Sequence, residues 1–131
     1  MAILVGLDLT PVARVAEILE RFRERFLARI FVEGEIRRAR RHPRAFAEHV
    51  AGRFAAKEAA MKALGLGWRG IAFREVAVLR DARGKPTLDL RGRAAARAKA
   101  LGVVETEVSI THTADLAAAV VVLVTDGRGN A

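Results

Sequence analysis

The apolar positions at the start of the chain predict a buried strand followed by an amphipathic helix. Residues 3–9 form a short apolar run that contains Gly6 and Asp8, which is typical of a buried strand. Thr10 and Pro11 are residue types preferred at the N-cap and first turn of a helix. The predicted helix has five apolar residues at helical spacing, namely Val12, Val15, Leu19, Phe22 and Phe26.

Two more helices are predicted before the middle of the chain. Residues 31–41 indicate a short helix that stops near Pro43, because proline cannot continue the hydrogen bonding of a helix. A long helix is predicted from about residue 44 to Gly65, a residue type common at helix C-caps. Residues 65–70 then predict a loop.

The second half changes to a two-residue period, which indicates strands. The predicted elements are a hairpin of residues 71–80 and 87–90 around a turn at 81–86, an alanine-rich helix at 92–101, and a hairpin of residues 105–111 and 116–125. This order predicts an α+β fold, with a small, largely antiparallel sheet packed against a long helix and shorter helices. We predict one domain over residues 1–125 and a frayed tail over residues 126–131.

Basic residues are concentrated in one part of the chain. The whole chain has 23 basic and 15 acidic residues, and residues 21–57 have 11 basic residues against four glutamates, a net +7 of the total +8. On the first predicted helix, Arg14, Arg21 and Arg25 fall within about 40° of one another beside the apolar face. Such a field attracts polyanions such as nucleic acids, acidic proteins, nucleotides or anionic lipids. For residues 37–41 we favour a solvated surface.

The chain shows no sign of export or membrane insertion. It lacks cysteine, which excludes disulfides and thiolate metal sites. Its N-terminus lacks the basic region and cleavage site of a signal peptide. No apolar run approaches the roughly 20 residues of a membrane helix. We therefore expect a cytoplasmic protein.

Two acidic residues are candidates for chemistry. Asp8 lies at the end of an apolar strand, where a buried carboxylate is costly without a partner. Glu58 lies within the long helix, where an ion pair to Lys62 is the commonest meaning of this spacing. However, Arg53, Lys57 and Lys62 bring three cations near Glu58, and small neighbours indicate close packing. This set suits a site for Mg²⁺ and a polyphosphate, because Mg²⁺ takes one or two protein carboxylates together with water and phosphate oxygens.

Other catalytic patterns are weak or missing from the sequence. His112 lies at a strand end, where a histidine is more often an ordinary polar residue, and His42 and His49 have no evident partner. The single serine, Ser109, is outside any Gly-x-Ser-x-Gly motif. The chain also has no Gly-x-x-x-x-Gly-Lys-Ser/Thr loop. Serine hydrolase and ordinary nucleotide triphosphatase activities are therefore unsupported.

Five segments in order, spread over nearly the whole chain, together resemble the holo-[acyl-carrier-protein] synthase family of small 4′-phosphopantetheinyl transferases. The most specific is Arg-Phe-Ala-Ala-Lys-Glu-Ala at 53–59, continued to Gly65. The others are residues 6–9 with Arg14, residues 30–35, residues 84–86, and residues 109–113 with 117–122. The resemblance implies a transferase that is typically a homotrimer, with each site shared between neighbouring subunits.

The resemblance also implies roles for the matching residues. It makes Asp8 and Glu58 the ligands of Mg²⁺, and it makes Lys62 the contact to the diphosphate of coenzyme A. The other implied contacts to coenzyme A are Arg53, Gly65, Gly84, Lys85, Pro86, His112 and Thr113, with Arg53, His112 and Thr113 near the 3′-phosphate and residues 84–86 near the adenine. The implied docking residues for the acidic acyl carrier protein are Arg14, Arg21 and Arg25.

The implied reaction is displacement at phosphorus, as part of fatty acid biosynthesis. A serine hydroxyl of apo acyl carrier protein attacks the β-phosphate of coenzyme A, and 3′,5′-ADP leaves. The serine needs a base, and we expect Glu58 or Asp8 to act through a water molecule.

Two alternatives stay open. One is a basic nucleic-acid-binding domain, although the chain has one Trp and no Tyr for stacking on bases. The other is an inactive relative that serves as an interaction subunit.

Overall fold

The computed structural model describes residues 1–67 and 70–129 of the 131-residue chain. Its helices and strands are β1 (Ala2–Pro11), α1 (Val12–Ile30), α2 (Glu33–Ile36), α3 (Phe46–Leu64), β2 (Val76–Arg80), β3 (Pro86–Leu90), α4 (Gly92–Leu101), β4 (Val103–His112) and β5 (Leu116–Thr125). Short 3₁₀ turns cover Ala39–Arg41, Pro43–Ala45 and Phe73–Glu75. The predicted loop at 65–70 and the predicted tail each lie partly outside the described residues.

The strands form two antiparallel sheets. One has the strand order β1-β5-β4, and the other is the β2-β3 hairpin. The long helix α3 packs against β1 and β5. The helix and this sheet share one hydrophobic core with α4 and the β2-β3 hairpin. The predicted α+β fold is therefore confirmed.

Gly6 lets β1 and α3 approach each other closely. A Cβ atom added at Gly6 would lie 1.7 Å from the carbonyl oxygen of Ala59, so any side chain there would force the two elements apart. On the helix side the atoms nearest to Gly6 belong to Ala59 and Ala63, which are both buried. The close approach brings the end of β1 next to the middle of α3, which is where Asp8 and Glu58 lie.

A buried ion pair joins α2, α3 and the start of β2. Lys57 Nζ lies 2.8 Å from the Glu35 carboxylate, and both side chains are fully buried. Lys57 also donates to the carbonyl oxygens of Phe73 and Val76, at 3.0 and 2.7 Å. Glu35 accepts a hydrogen bond from the backbone N–H of Val78 at 2.9 Å. These bonds satisfy the charged groups of both side chains, which a buried pair requires.

Two predictions for the first helix are wrong. Strand β1 continues to Pro11, so Thr10 is not the N-cap of α1. The hydroxyl of Thr10 instead donates to the carboxylate of Asp8 at 3.0 Å. Phe22 has non-helical angles, φ −133° and ψ 19°, that kink α1. Its side chain is 48% exposed rather than part of the apolar face.

Two predicted elements are shorter than expected. The helix predicted at 31–41 reduces to α2 and a 3₁₀ turn. The strand predicted at 71–80 begins at Val76, because residues 73–75 form a 3₁₀ turn. The carbonyl oxygens of Phe73 and Val76 accept hydrogen bonds from Lys57. These bonds inside the core fix the backbone where β2 begins. The alternation of apolar and polar residues in the sequence does not reveal them.

Candidate active site

Asp8 and Glu58 line one cleft between β1, α1 and α3. The cleft has a volume of about 250 Å³, and Arg14 lines it as well. Asp8 accepts the hydrogen bond from Thr10, which fixes the orientation of its carboxylate. The structure therefore brings together two acids that are 50 residues apart in the chain.

Lys62 reaches across from α3 to β1. Its Nζ lies 3.2 Å from Asp8 Oδ1 and 2.9 Å from the carbonyl oxygen of Leu7. Among the described ion pairs, Lys62 is bonded to Asp8 and not to Glu58. The spacing of Glu58 and Lys62 thus does not reflect a pair along the surface of the helix. Glu58 lines the acidic cleft, and it also lines a neighbouring depression together with Lys62 and Gly65.

The two carboxylates act on each other electrostatically. Partial burial is the main cause that raises the pKa of Glu58, and the negative charge of Asp8 raises it further. The positive charges of Lys62 and Arg14 oppose this effect. Repulsion between two carboxylates is relieved when a cation lies between them.

This pair of oxygen ligands fits a hard divalent cation. Mg²⁺ needs one or two protein carboxylates and takes its remaining ligands from water and phosphate groups. In the part of the chain that the structure describes, no group of three or more His, Cys, Asp or Glu residues is placed to hold a metal. The acidic cleft therefore suits an ion that is held jointly by protein and substrate.

The predicted crowding of Glu58 by three cations is wrong. Lys57 points into the core and pairs with Glu35. Arg53 is buried, and its Nε donates to the carbonyl oxygen of Glu35 at 3.1 Å. The cations near Glu58 are Lys62 and, from another helix, Arg14. Residue spacing alone could not show which way each side chain of α3 points.

The residues predicted to contact the rest of the donor lie outside the acidic cleft of the same chain. Gly84 is in the β2–β3 turn with φ +85°, and Lys85 pairs with Glu107 on β4 at 2.7 Å. Lys85 and Pro86 line a surface depression with β4 and β5. His112 Nδ1 lies 3.0 Å from the carboxylate of Glu48. Thr113 accepts hydrogen bonds from the backbone N–H groups of residues 115 and 116.

The family model for the 4′-phosphopantetheinyl transferase superfamily matches residues 4–121. The chain belongs to this superfamily. A holo-[acyl-carrier-protein] synthase of Solidesulfovibrio magneticus is 50% identical over 91% of this chain and 95% of its own length. The corresponding protein of Solibacter usitatus is 46% identical over 94% of this chain and 98% of its own length. The predicted family and class of enzyme are therefore confirmed.

Solved structures of the superfamily have the same fold. An ACPS–CoA complex from Chronobacterium ammoniagenes has a TM-score of 0.83 and 35% identity, and the match covers 96% of this chain and 99% of that one. The Helicobacter pylori holo-[acyl-carrier-protein] synthase in complex with coenzyme A has a TM-score of 0.80 and 28% identity, over 92% and 99% of the two chains. Membership in the superfamily favours a transferase over the alternative of a nucleic-acid-binding domain.

The three predicted docking arginines of this transferase lie on α1. Arg14, Arg21 and Arg25 are all exposed, and Arg14 also borders the acidic cleft. The kink at Phe22 interrupts the continuous stripe that a regular helix predicts. The guanidinium of Arg25 lies 5.9 Å from the centre of the Phe22 ring. Their role in docking stays a prediction.

The sequence did not indicate two features of this site. Threonine is common at helix N-caps, so the sequence did not indicate that Thr10 donates a hydrogen bond to Asp8 instead. In a separate cleft, His112 of β4 lies together with His42 and His49, which are more than 60 residues earlier in the chain.

None of the described helices is long and apolar enough to cross a membrane.

Proposed function

We propose that this chain transfers the 4′-phosphopantetheine group of coenzyme A to a serine of apo acyl carrier protein, in the cytoplasm and as one domain over residues 1–125. The observation that supports this most directly is the convergence of Asp8 and Glu58 at one cleft, with Lys62 paired to Asp8, in a member of the transferase superfamily. The names of the relatives describe the same activity. Two relatives are complexes with coenzyme A, which supports coenzyme A as the donor.

Asp8 and Glu58 would hold Mg²⁺, which neutralises negative charge on the diphosphate of the donor. Thr10 keeps the Asp8 carboxylate oriented towards the cleft. Lys62 is half exposed and ends on Asp8, so its ammonium group can turn to a diphosphate oxygen. Fixed charges of this kind stabilise the charge that develops during phosphoryl-type transfer.

The transfer exchanges a phosphoanhydride bond of the donor for a phosphoester bond to the carrier. The oxygen of the carrier serine bonds to the β-phosphorus of coenzyme A. The bond from this phosphorus to the bridging oxygen breaks, and 3′,5′-ADP leaves with that oxygen. The serine proton passes through a water molecule to Glu58 or Asp8.

The exposed basic face of α1 supports docking of an acidic carrier protein. Arg14, Arg21 and Arg25 are solvent exposed, and Arg14 borders the cleft where the serine must arrive. Complementary charge raises the rate of encounter more than the final affinity. We expect binding of the carrier to weaken as ionic strength increases.

We further propose that the protein is a homotrimer with shared sites. One face of β1 exposes four apolar side chains that are each about 60% accessible, namely Ile3, Val5, Leu7 and Leu9. Their neighbours across the sheet on β5 continue the same face and are Ala118, Val120, Val122 and Val124. A continuous apolar face of this kind marks a protein–protein contact.

Mass spectrometry of apo acyl carrier protein incubated with coenzyme A and Mg²⁺ tests the activity. We expect a gain of one phosphopantetheine, which a chelator abolishes.

The Glu58→Gln variant should lose turnover at ordinary Mg²⁺ concentrations, because the amide is a weaker ligand and a poor base. Asp89→Asn is the matched control, since Asp89 pairs with Arg91 away from the cleft. If the wild-type protein leaves the carrier unmodified, the chain is an inactive relative. If Glu58→Gln is as fast as the wild type, the role of Glu58 is refuted.

A further inference from the structure

Both oxygens of the Asp8 carboxylate are bonded to other side chains. Oδ2 accepts a hydrogen bond from the hydroxyl of Thr10 at 3.0 Å, and Oδ1 lies 3.2 Å from Nζ of Lys62. The ammonium group of Lys62 also donates to the carbonyl oxygen of Leu7 at 2.9 Å, so it lies between two oxygen atoms of β1. A metal ion held by Asp8 has to share the carboxylate with both partners or replace one of them.

The two bonds of Asp8 differ in how easily they break. Thr10 is only 5% exposed and lies on the same strand as Asp8, so its hydroxyl has little freedom to move away. The side chain of Lys62, in contrast, is 55% exposed. An exposed ion pair adds little net stability, because water and salt screen it and the long side chain loses freedom. The bond to Lys62 is therefore the one that yields.

An ammonium group and a divalent cation compete for one carboxylate oxygen. An ionised carboxylate can accept several bonds, but two positive charges on the same oxygen lie close together and repel each other. The charge of Lys62 also acts on Glu58, where it opposes the rise in pKa that burial causes. Lys62 thus supplies positive charge to both acids that are proposed to hold Mg²⁺, and it opposes a second cation there.

The ammonium group of Lys62 has a second place to go. Lys62 lines a depression of about 280 Å³ together with Glu58, Met61 and Gly65. Its flexible four-carbon stem lets the charged end move between neighbouring positions. A diphosphate carries more than one negative charge and accepts strong charge-assisted hydrogen bonds. A diphosphate bound in this depression therefore attracts the ammonium group away from Asp8.

We propose that Lys62 competes with Mg²⁺ for Asp8 Oδ1 and releases this oxygen when the donor binds. The proposal rests on the proposed function, since it takes coenzyme A as the donor whose diphosphate attracts the ammonium group. Lys62 then has two consecutive partners, first Asp8 and later the diphosphate. The metal site becomes strong only together with the donor, so Mg²⁺ and coenzyme A bind cooperatively. By linkage, each of them tightens binding of the other by the same factor.

Titration with Mn²⁺ tests this competition without the carrier protein and therefore without turnover. Mn²⁺ takes the same carboxylate and phosphate ligands as Mg²⁺, and electron paramagnetic resonance measures the unbound ion. Lys62→Met removes the ammonium group and keeps most of the apolar stem. Without coenzyme A, we expect this variant to bind Mn²⁺ about two- to fivefold more tightly than the wild-type protein, because an exposed ion pair no longer has to break.

A second set of titrations contains coenzyme A, with its own binding of Mn²⁺ subtracted. Coenzyme A should tighten Mn²⁺ binding by a larger factor in the wild-type protein than in Lys62→Met, because only the wild type has a competitor to remove. Arg14→Met is the matched control, since it loses a positive charge that acts on Glu58 but has no ion pair to Asp8 among the described residues. It should change Mn²⁺ affinity less than Lys62→Met does. Asp8→Asn should lose the bound Mn²⁺, which assigns the signal to this site.

The possible results separate the competition from the proposed function. If Lys62→Met binds Mn²⁺ no more tightly than the wild type, or if Arg14→Met tightens it equally, Lys62 does not compete for Asp8 and the proposal is overturned, even where the wild-type protein modifies the carrier. An equal effect of coenzyme A on the wild type and on Lys62→Met overturns the release step.

Unchanged Mn²⁺ binding in Asp8→Asn also refutes the competition, because the ion then binds elsewhere. If the wild-type protein leaves apo acyl carrier protein unmodified, the proposed function fails together with the role of the donor, whereas the titrations without coenzyme A still measure the competition at Asp8. Lys62 is exposed, so its variant should fold, which circular dichroism checks.

Discussion

Lys57, which precedes the site residue Glu58 in the chain, and Glu35 are charged residues in the interior of the molecule. Burial lowers the pKa of Lys57 to about 8, and the charge of Glu35 opposes this effect. Lys57→Met leaves the Glu35 carboxylate buried without its partner, so we expect a loss of about 3–5 kcal/mol of unfolding free energy. Urea denaturation measures this loss. Lys99→Met, at an exposed position, is the control with a small effect, and an equal loss there would contradict the argument.

His49 links stability to pH. Burial first, and then the charge of Arg53, lower the pKa of His49 to about 4 in the folded protein, against about 6.5 in an unfolded chain. Between these values the unfolded state binds more protons, so stability falls as pH decreases from 6.5 to 4. We expect His49→Gln to flatten this part of the profile when urea midpoints are compared at pH 7 and pH 5. His42→Gln, at an exposed position, should keep the wild-type slope, and a slope unchanged in His49→Gln would refute the assignment.

At the scale of elements, the contact between β1 and α3 positions the acidic cleft. Gly6→Ala places a methyl group against the Ala59 carbonyl, and we expect it to cost at least about 3 kcal/mol. Because β1 must move away from α3, Asp8 and Glu58 separate, and transfer to the carrier should fall more than stability explains. Gly34→Ala is the matched control, since the nearest atom to its added Cβ lies 3.8 Å away. Thermal unfolding and the transfer assay measure both effects, and a fully active Gly6→Ala variant would contradict this account.

The elements also show what the sequence could predict. Apolar periodicity and the left-handed glycines Gly65 and Gly102 mark the ends of α3 and α4, so the helices and the antiparallel hairpins were foreseeable. The direction of each side chain on α3 could not be predicted, because nearly every face of this helix is buried and the spacing of its apolar residues indicates no preferred side. Lys57 was therefore assigned to the surface of the site, although it bonds within the core.

The acidic site was only partly predictable. The residue pattern singled out Asp8 and Glu58, but their pairing came from the resemblance to a family, because no spacing rule connects positions 50 residues apart. The resemblance implied that Arg53 and His112 lie near one phosphate of the donor, but the sequence did not indicate that Arg38 and Arg80 line the same clefts. These residues come from separate parts of the chain, and the packing of α3 against β2 and β4 brings them together.

At the scale of the whole molecule, the apolar face of β1 and β5 is where the proposed trimer would bring the shared sites together. Val5 is 59% exposed at the centre of this face, so Val5→Lys puts a charge where the proposed trimer buries apolar side chains. We expect light scattering to show a trimer for the wild-type protein and a monomer for Val5→Lys. The monomer should retain its fold and lose transfer activity, because the part of each shared site that a neighbouring copy supplies no longer meets the acidic cleft. Ala96→Lys, on the exposed surface of α4, should remain trimeric and active. A wild-type monomer with full activity would refute shared sites and would require one chain to hold the whole donor.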